Sequence, residues 1–218
     1  MFKQRTASVG EGLVVIYTFM LKESENTMLS DLLRKIDEVR KHVPDEIIPG
    51  LIAATTCSAY VIQTSSEVYV FCGSDHFDKS IFMPITNEPY PWCKPRGGMW
   101  SSPADSDNTW EDWCLSNGFR LEKLDKQFRF HLAEGSKILR IKFNEDLDAL
   151  YSRGYKRSDL DQYPYLHDDM YYLDFEKIVA NGYDAIQVII TAETYWSLYG
   201  WDCDTLLVLN PDSVMEIE

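Results

Sequence analysis

A chain of 218 residues, 45% hydrophobic and 26% charged, has the length of one domain, or of one domain with a sizeable extension, and the composition of a globular protein with a real core. Its formal net charge of −14 argues against nucleic acid as a partner, because the mixed clusters Arg34/Lys35/Arg40/Lys41 and Arg153/Lys156/Arg157 are interleaved with acids and read as solvated faces. Five cysteines without a close pair (Cys57, Cys72, Cys93, Cys114 and Cys203) argue against a disulfide framework and a zinc site, and predict reduced thiols in a cytoplasmic protein. The apolar run Leu13–Met20 is too short for a membrane span and lacks a small-residue cleavage site after it, so neither a membrane anchor nor secretion is expected.

In chain order, Gly12–Leu21 (GLVVIYTFML) is β-branched and aromatic and predicts a buried strand. Leu29, Leu32, Leu33, Ile36, Val39 and Val43 recur at helical steps and predict a helix, capped by Asn26 or Thr27 and stopped at Pro44. Ile47–Leu51 reads as a turn. Ala59–Thr64 and Glu67–Cys72 predict two strands, interrupted at Ser65–Ser66 in the manner of a hairpin. Gly73 to Pro91 reads as a proline-punctuated loop and Gly98–Pro103 as a short strand. Thr109–Phe119 predicts a helix that starts near Asp107 or Asn108 and ends at Gly118. Phe128–Leu132 and Lys137–Lys142 predict strands, and Asn144–Gly154 a helix with acids in its first turn. A further helix lies within Met170–Gly182. Tyr183–Ile190 and Asp204–Asn210 are two strong strands, with Thr191–Cys203 a polar-aromatic loop between them. The class is α+β, strands concentrated in the second half.

Aromatics make up 13% of the chain, with 13 Tyr and 6 Trp, an excess that suits large cores and clefts that hold rings or sugars. Two clusters carry candidate chemistry. In Lys94–Trp100 (KPRGGMW), Pro95 holds Lys94 extended, Gly97 and Gly98 allow a bend or a close approach to a ligand, Arg96 can grip a phosphate, and Trp100 can stack on a planar ring. The same residues would serve equally as a glycine turn entering a buried strand. In Trp196–Asp204 (WSLYGWDCD), Asp202 and Asp204 share a face of an extended chain at a strand's mouth, with Glu193 a further acid. These aspartates could instead close a loop by local hydrogen bonds. Trp110 and Trp113, three apart on a helix, read as core. His42, His76, His131 and His167 show no metal-ligand spacing, and no metal site is expected. Phosphate-loop, dinucleotide-fingerprint and nucleophile-elbow motifs are absent, and Cys72 reads as a strand-end cysteine rather than a nucleophile.

Three segments, GSDHFDKSIFMPI with KPRGGMWSSP, TWEDWC, and YGWDCDTLLVLNP, resemble small bacterial and phage proteins with the pattern K-P-x-G-G-L-W-x-S-P, W-x-x-W-C and Y-G-W-D-C-D. Independently, GYDAIQVII followed by DTLLVLNPDSV resembles the end of ADP-ribosyltransferase-like toxin and phage domains. The resemblance spans roughly Tyr69 to Val214 and implies a split mixed or antiparallel β-sheet core with flanking helices over residues 66–218, residues 1–65 being a strand-helix extension packed on it. It further implies cleavage of the nicotinamide–ribose bond of NAD and transfer of ADP-ribose to a target such as a protein. In that reading Asp204 or Asp202 is the acid, with Glu193 in reserve. Trp100 stacks on nicotinamide beside Ser101 and Ser102, and Arg96 with the Gly97–Gly98 amides meets the pyrophosphate. Tyr69–Ser74 takes the place of the first NAD-binding strand, which commonly carries an arginine or histidine; here the residues are Val70, Phe71 and Cys72. A non-catalytic binding relative, and a metal-dependent nucleotide hydrolase using Asp202, Asp204 and Asp184, are the alternatives.

Overall fold

The computed structural model describes residues 67–217 in full and, before them, the backbone of three strands at 6–9, 12–15 and 61–62. The chain divides into two units, Met1–Thr56 and Cys57–Glu218. In the first, β1 (Thr6–Val9) and β2 (Gly12–Val15) pair antiparallel, from Thr6 opposite Val15 to Val9 opposite Gly12. The expected continuation of that strand to Leu21, the helix over Leu29–Val43 and the turn at Ile47–Leu51 lie outside the described residues.

The second unit is α+β. Its strands are β3 (Val61–Ile62), β4 (Tyr69–Cys72), β5 (Met99–Pro103), β6 (Gln127–Leu132), β7 (Lys137–Ile141), β8 (Ala185–Val188), β9 (Thr205–Val208) and β10 (Val214–Ile217). They form one mixed sheet in the order β10-β6-β4-β5-β9-β8-β7-β3. Every neighbouring pair is antiparallel except β7–β8. That parallel pair needs a long crossover, which carries α2 (Asn144–Ser152) and α3 (Phe175–Ala180). Among the described residues the two other helices are α1 (Trp110–Asn117), between β5 and β6, and α4 (Ala192–Ser197), between β8 and β9. Among the described residues no helix is long and apolar enough to cross a membrane.

Strand side chains alternate between two faces. Leu139, Ile141, Ile186, Val188 and Leu207 pack on one face with Leu147 and Leu150 of α2, Phe175 and Ile178 of α3, and Leu198 and Trp201. Tyr69, Met99, Phe128, Phe130, Leu132, Ile138, Leu206 and Val208 form a second cluster on the other. All four residues of β8 and of β9 are buried, as befits strands covered on both faces.

The helix ends follow from local chemistry. Thr109 Oγ1 accepts from Asp112 N and the Asp112 carboxylate accepts from Thr109 N, so Thr109, rather than Asp107 or Asn108, caps α1. Gly118 closes it at φ 61. Asp146 accepts from Lys142 N and Phe143 N ahead of α2, and Asp174 accepts from Lys177 N at the start of α3.

Two expectations are corrected. The strands around Val61 and Tyr69 do not make a hairpin: β3 pairs with β7, while β4 pairs with β6 and β5. The stretch expected as loop between β8 and β9 contains α4, begun by Thr191, whose Oγ1 accepts from Thr194 N.

Candidate functional site

The sheet parts between β4 and β5. Their ladder holds only two pairs, Tyr69 opposite Pro103 and Val70 opposite Ser102. Beyond them Phe71 and Cys72 stay paired with β6, while Met99, Trp100 and Ser101 pair with β9. A cavity of about 340 Å³ opens where the strands part. Its floor and walls come from Phe71 and Cys72 on β4, Gly98, Trp100, Ser101 and Ser102 at β5, Trp110 and Arg120 around α1, and Lys94 facing Asp202 and Cys203.

The glycine turn is what brings β5 to this place. Gly97 and Gly98 have φ of 79° and 70°, a region that L side chains rarely adopt. The backbone before them is tied to the preceding loop by paired bonds between Thr86 and Arg96, and Gly98 N donates to Met83 O at 2.8 Å. Trp100 then lies against the cavity with its Nε1–H donating to Gly97 O at 3.1 Å and its ring 4.8 Å from that of buried Trp201. The Trp201 Nε1–H donates in turn to Cys93 O at 2.7 Å, which anchors the segment leading into Lys94.

Lys94 arches over the site. Its ammonium sits 5.1 Å from the centre of the Trp100 ring and 3.7 Å from the Asp202 carboxylate. Burial lowers the Lys94 pKa, and the charge of Asp202 opposes that shift. Ser101 donates to Leu206 O at 2.9 Å, and Ser102 accepts from Trp110 N at 2.8 Å, so both hydroxyls also hold strand to strand and strand to helix. The structure therefore gathers Gly98, Trp100, Ser101, Ser102 and Asp202, which the sequence singled out, into one cavity.

The other candidates stand elsewhere. Asp204 is fixed by its surroundings: its carboxylate accepts from Ile190 N and from Ser106 Oγ, each at 2.8 Å. The chain bends at Cys203, so Asp202 and Asp204 do not share an extended face. Glu193 is exposed in the first turn of α4. Arg96 points to solvent and donates to Glu88 at 2.7 Å. Gly97 contributes its carbonyl to Trp100 but does not line the cavity. Tyr69 is fully buried, its hydroxyl donating to Glu67 at 2.6 Å. Ser74 lies by a separate hollow of about 100 Å³ with His76 and Phe77, and donates to His76 O. Asp184, the third carboxylate of the metal alternative, accepts from Lys137 N and Asn210 Nδ2. Among the described residues no three His, Cys, Asp or Glu side chains are grouped so as to hold a metal ion.

Lys94, Arg120, Cys203 and Thr205 are lining residues that the sequence did not single out as site residues. Lys94 opens the Lys94–Trp100 segment, and its place before Pro95 is the feature of the sequence that marks it. Trp110 has a double role, stacking on Trp113 at 5.1 Å while one side faces the cavity. Comparison with protein-family models, with curated proteins and with solved structures finds no match for this chain.

Burial pushes the Cys72 thiol up to about 11. At pH 7.5 it is therefore almost wholly protonated, and only the thiolate attacks. Alkylation of Cys72 by iodoacetamide, followed by peptide mass spectrometry, should be slow at pH 7.5. It should accelerate by about tenfold per pH unit up to pH 10. Rapid labelling at neutral pH would mean that the thiol is activated.

Proposed function

We propose that the cavity binds NAD and that the protein is an ADP-ribosyltransferase-like enzyme, of the toxin or phage-effector type, acting at the nicotinamide–ribose bond. One observation carries this reading. The parting of β4 and β5 brings an indole, two hydroxyl-bearing residues and a carboxylate, from segments about a hundred residues apart, into a single cavity. The mixed sheet opened in this way is compatible with the split core that the sequence resemblance implies. A volume of about 340 Å³ is at the lower end for small-molecule sites, roughly 300–1,000 Å³. It suits the nicotinamide-ribose end of a dinucleotide, with the remainder crossing the rim.

The chemistry assigns the roles. When the glycosidic C–N bond breaks, its electron pair leaves with the nicotinamide nitrogen, and the positive charge of the pyridinium passes to the ribose as an oxocarbenium ion. A water or a protein side chain then attacks the ribose and gives up a proton. Trp100, backed by Trp201, supplies the flat wall for nicotinamide. Asp202 is the acid that faces the developing cation, in preference to Asp204, whose oxygens are engaged by Ile190 and Ser106. Free nicotinamide should appear when the protein is incubated with NAD. Asp202→Asn should reduce its release by about 100-fold or more while leaving the circular-dichroism spectrum unchanged. No release by the wild-type protein overturns the catalytic reading.

A second reading, NAD binding without turnover, is favoured by a specific contact. The Lys94 ammonium 3.7 Å from Asp202 offsets the negative charge that an oxocarbenium would need. β4 also presents Phe71 and Cys72 to the cavity, where such folds commonly carry an arginine or histidine. Calorimetric binding of NAD with no nicotinamide released would select this reading.

A further inference from the structure

Among the described residues, nine have a clearly left-handed backbone: eight glycines and Arg120, at φ 47° and ψ 38°. A long L side chain disfavours that region, where its Cβ crowds the backbone. A residue held there points to a constraint imposed by function or by surrounding structure. Packing gives no evident reason for an arginine, since Arg120 is exposed. Its position does supply one: Arg120 lines the cavity between β4 and β5.

Its surroundings leave the guanidinium available. The group lies 5.2 Å from the centre of the Phe119 ring. That ring is itself braced edge-on by Trp110 at 5.9 Å and Trp113 at 5.5 Å. Among the described residues two cations line the cavity. Lys94 is taken up by Asp202, whereas Arg120 forms no ion pair among the described residues. An arginine positioned by an aromatic ring, with its planar fork of donors open, is suited to a phosphate, which it can grip with two parallel hydrogen bonds. The first sheet strand at the cavity brings no cation of its own.

We propose that Arg120 is the phosphate contact of this cavity, and that the left-handed turn after α1 exists to present it. The ligand therefore carries a phosphate or pyrophosphate next to the planar group held at Trp100. This deepens, and rests on, the reading of the cavity as an NAD site. It moves the pyrophosphate from Arg96, which is engaged by Glu88 away from the cavity, to a residue of the segment after α1.

Titration calorimetry with NAD and with nicotinamide riboside, which lacks phosphate, tests this on the wild-type protein, Arg120→Gln and Arg120→Gly. Both variants should bind NAD at least about 10-fold more weakly, while the affinity for nicotinamide riboside stays the same. Glycine accepts a φ of 47° freely, so the melting temperature of Arg120→Gly should equal or exceed that of the wild type. Lost affinity then cannot be ascribed to unfolding. NAD affinity unchanged in Arg120→Gln overturns this proposal and leaves the NAD reading standing. NAD affinity lost in the variants, with no nicotinamide release by the wild type, supports Arg120 while overturning catalysis. A wild-type protein that binds no NAD overturns both.

Discussion

Gly97→Ala is expected to destabilise the protein by about 4 kcal/mol and to lower its melting temperature by about 10 °C in a thermal scan. Two effects add. The residue has φ 79°, which costs an alanine about 1–2 kcal/mol. Its new Cβ would also fall 2.3 Å from Pro84 O and 2.6 Å from Met83 O, backbone atoms that cannot swing aside. Gly98→Ala should behave similarly, because its Cβ would meet Leu207 Cδ1 at 2.6 Å and Val208 O at 2.8 Å. Gly118→Ala is the control. It has a similar φ of 61° but open space around the added carbon, so about 1 kcal/mol is expected. Equal melting temperatures for Gly97→Ala and Gly118→Ala would refute the close approach of the Gly97 backbone to the Met83–Pro84 segment.

Trp201→Ala is expected to cost about 3–5 kcal/mol, read from urea unfolding. The side chain is 1% exposed, packs among the residues that cover one face of the sheet, and backs the Trp100 ring. Trp201→Phe separates packing from hydrogen bonding. It retains an aromatic ring but leaves the Cys93 carbonyl without its indole donor, which should cost about 1–3 kcal/mol. In both variants the wall behind Trp100 is loosened, so binding of a planar ligand should weaken along with stability. A Trp201→Ala protein as stable as the wild type would show that the indole is not part of the core.

Much of the sheet was legible in the sequence, because β4 and β6 to β9 carry the β-branched, aliphatic and aromatic residues that strands favour. Their partners were not legible. The short spacing between Val61 and Tyr69 suggests a local hairpin, yet β3 finds its partner in β7, and only tertiary packing decides that choice. The helix α4 was missed for a physical reason. Its buried residues are Thr194 and Ser197, and the Thr194 hydroxyl donates to Ile189 O, so the inward face is polar and leaves no apolar periodicity to read. At the site, residue types marked Trp100 and the late aspartate loop as separate candidates, and only the family resemblance put them on one ligand; the structure places Trp100 and Asp202 at the same cavity. Which aspartate faces the cavity was not: the bend at Cys203 turns Asp204 to Ile190 N and leaves Asp202 beside Lys94. Arg120 carried no signal, since a left-handed arginine outside any motif looks like any other exposed cation.

The strand β9 sits between β5 and β8, yet it comes more than a hundred residues after β5 in the chain. A polypeptide interrupted before Thr205 therefore lacks the strand that joins β5 to β8, and the backbone donors and acceptors along those two edges are left unsatisfied. During synthesis those edges must wait for their missing neighbour, a situation that invites capture by chaperones or by other nascent chains. Assembly should be correspondingly slow and all-or-none, with the insertion of this one segment as the step that commits the whole sheet.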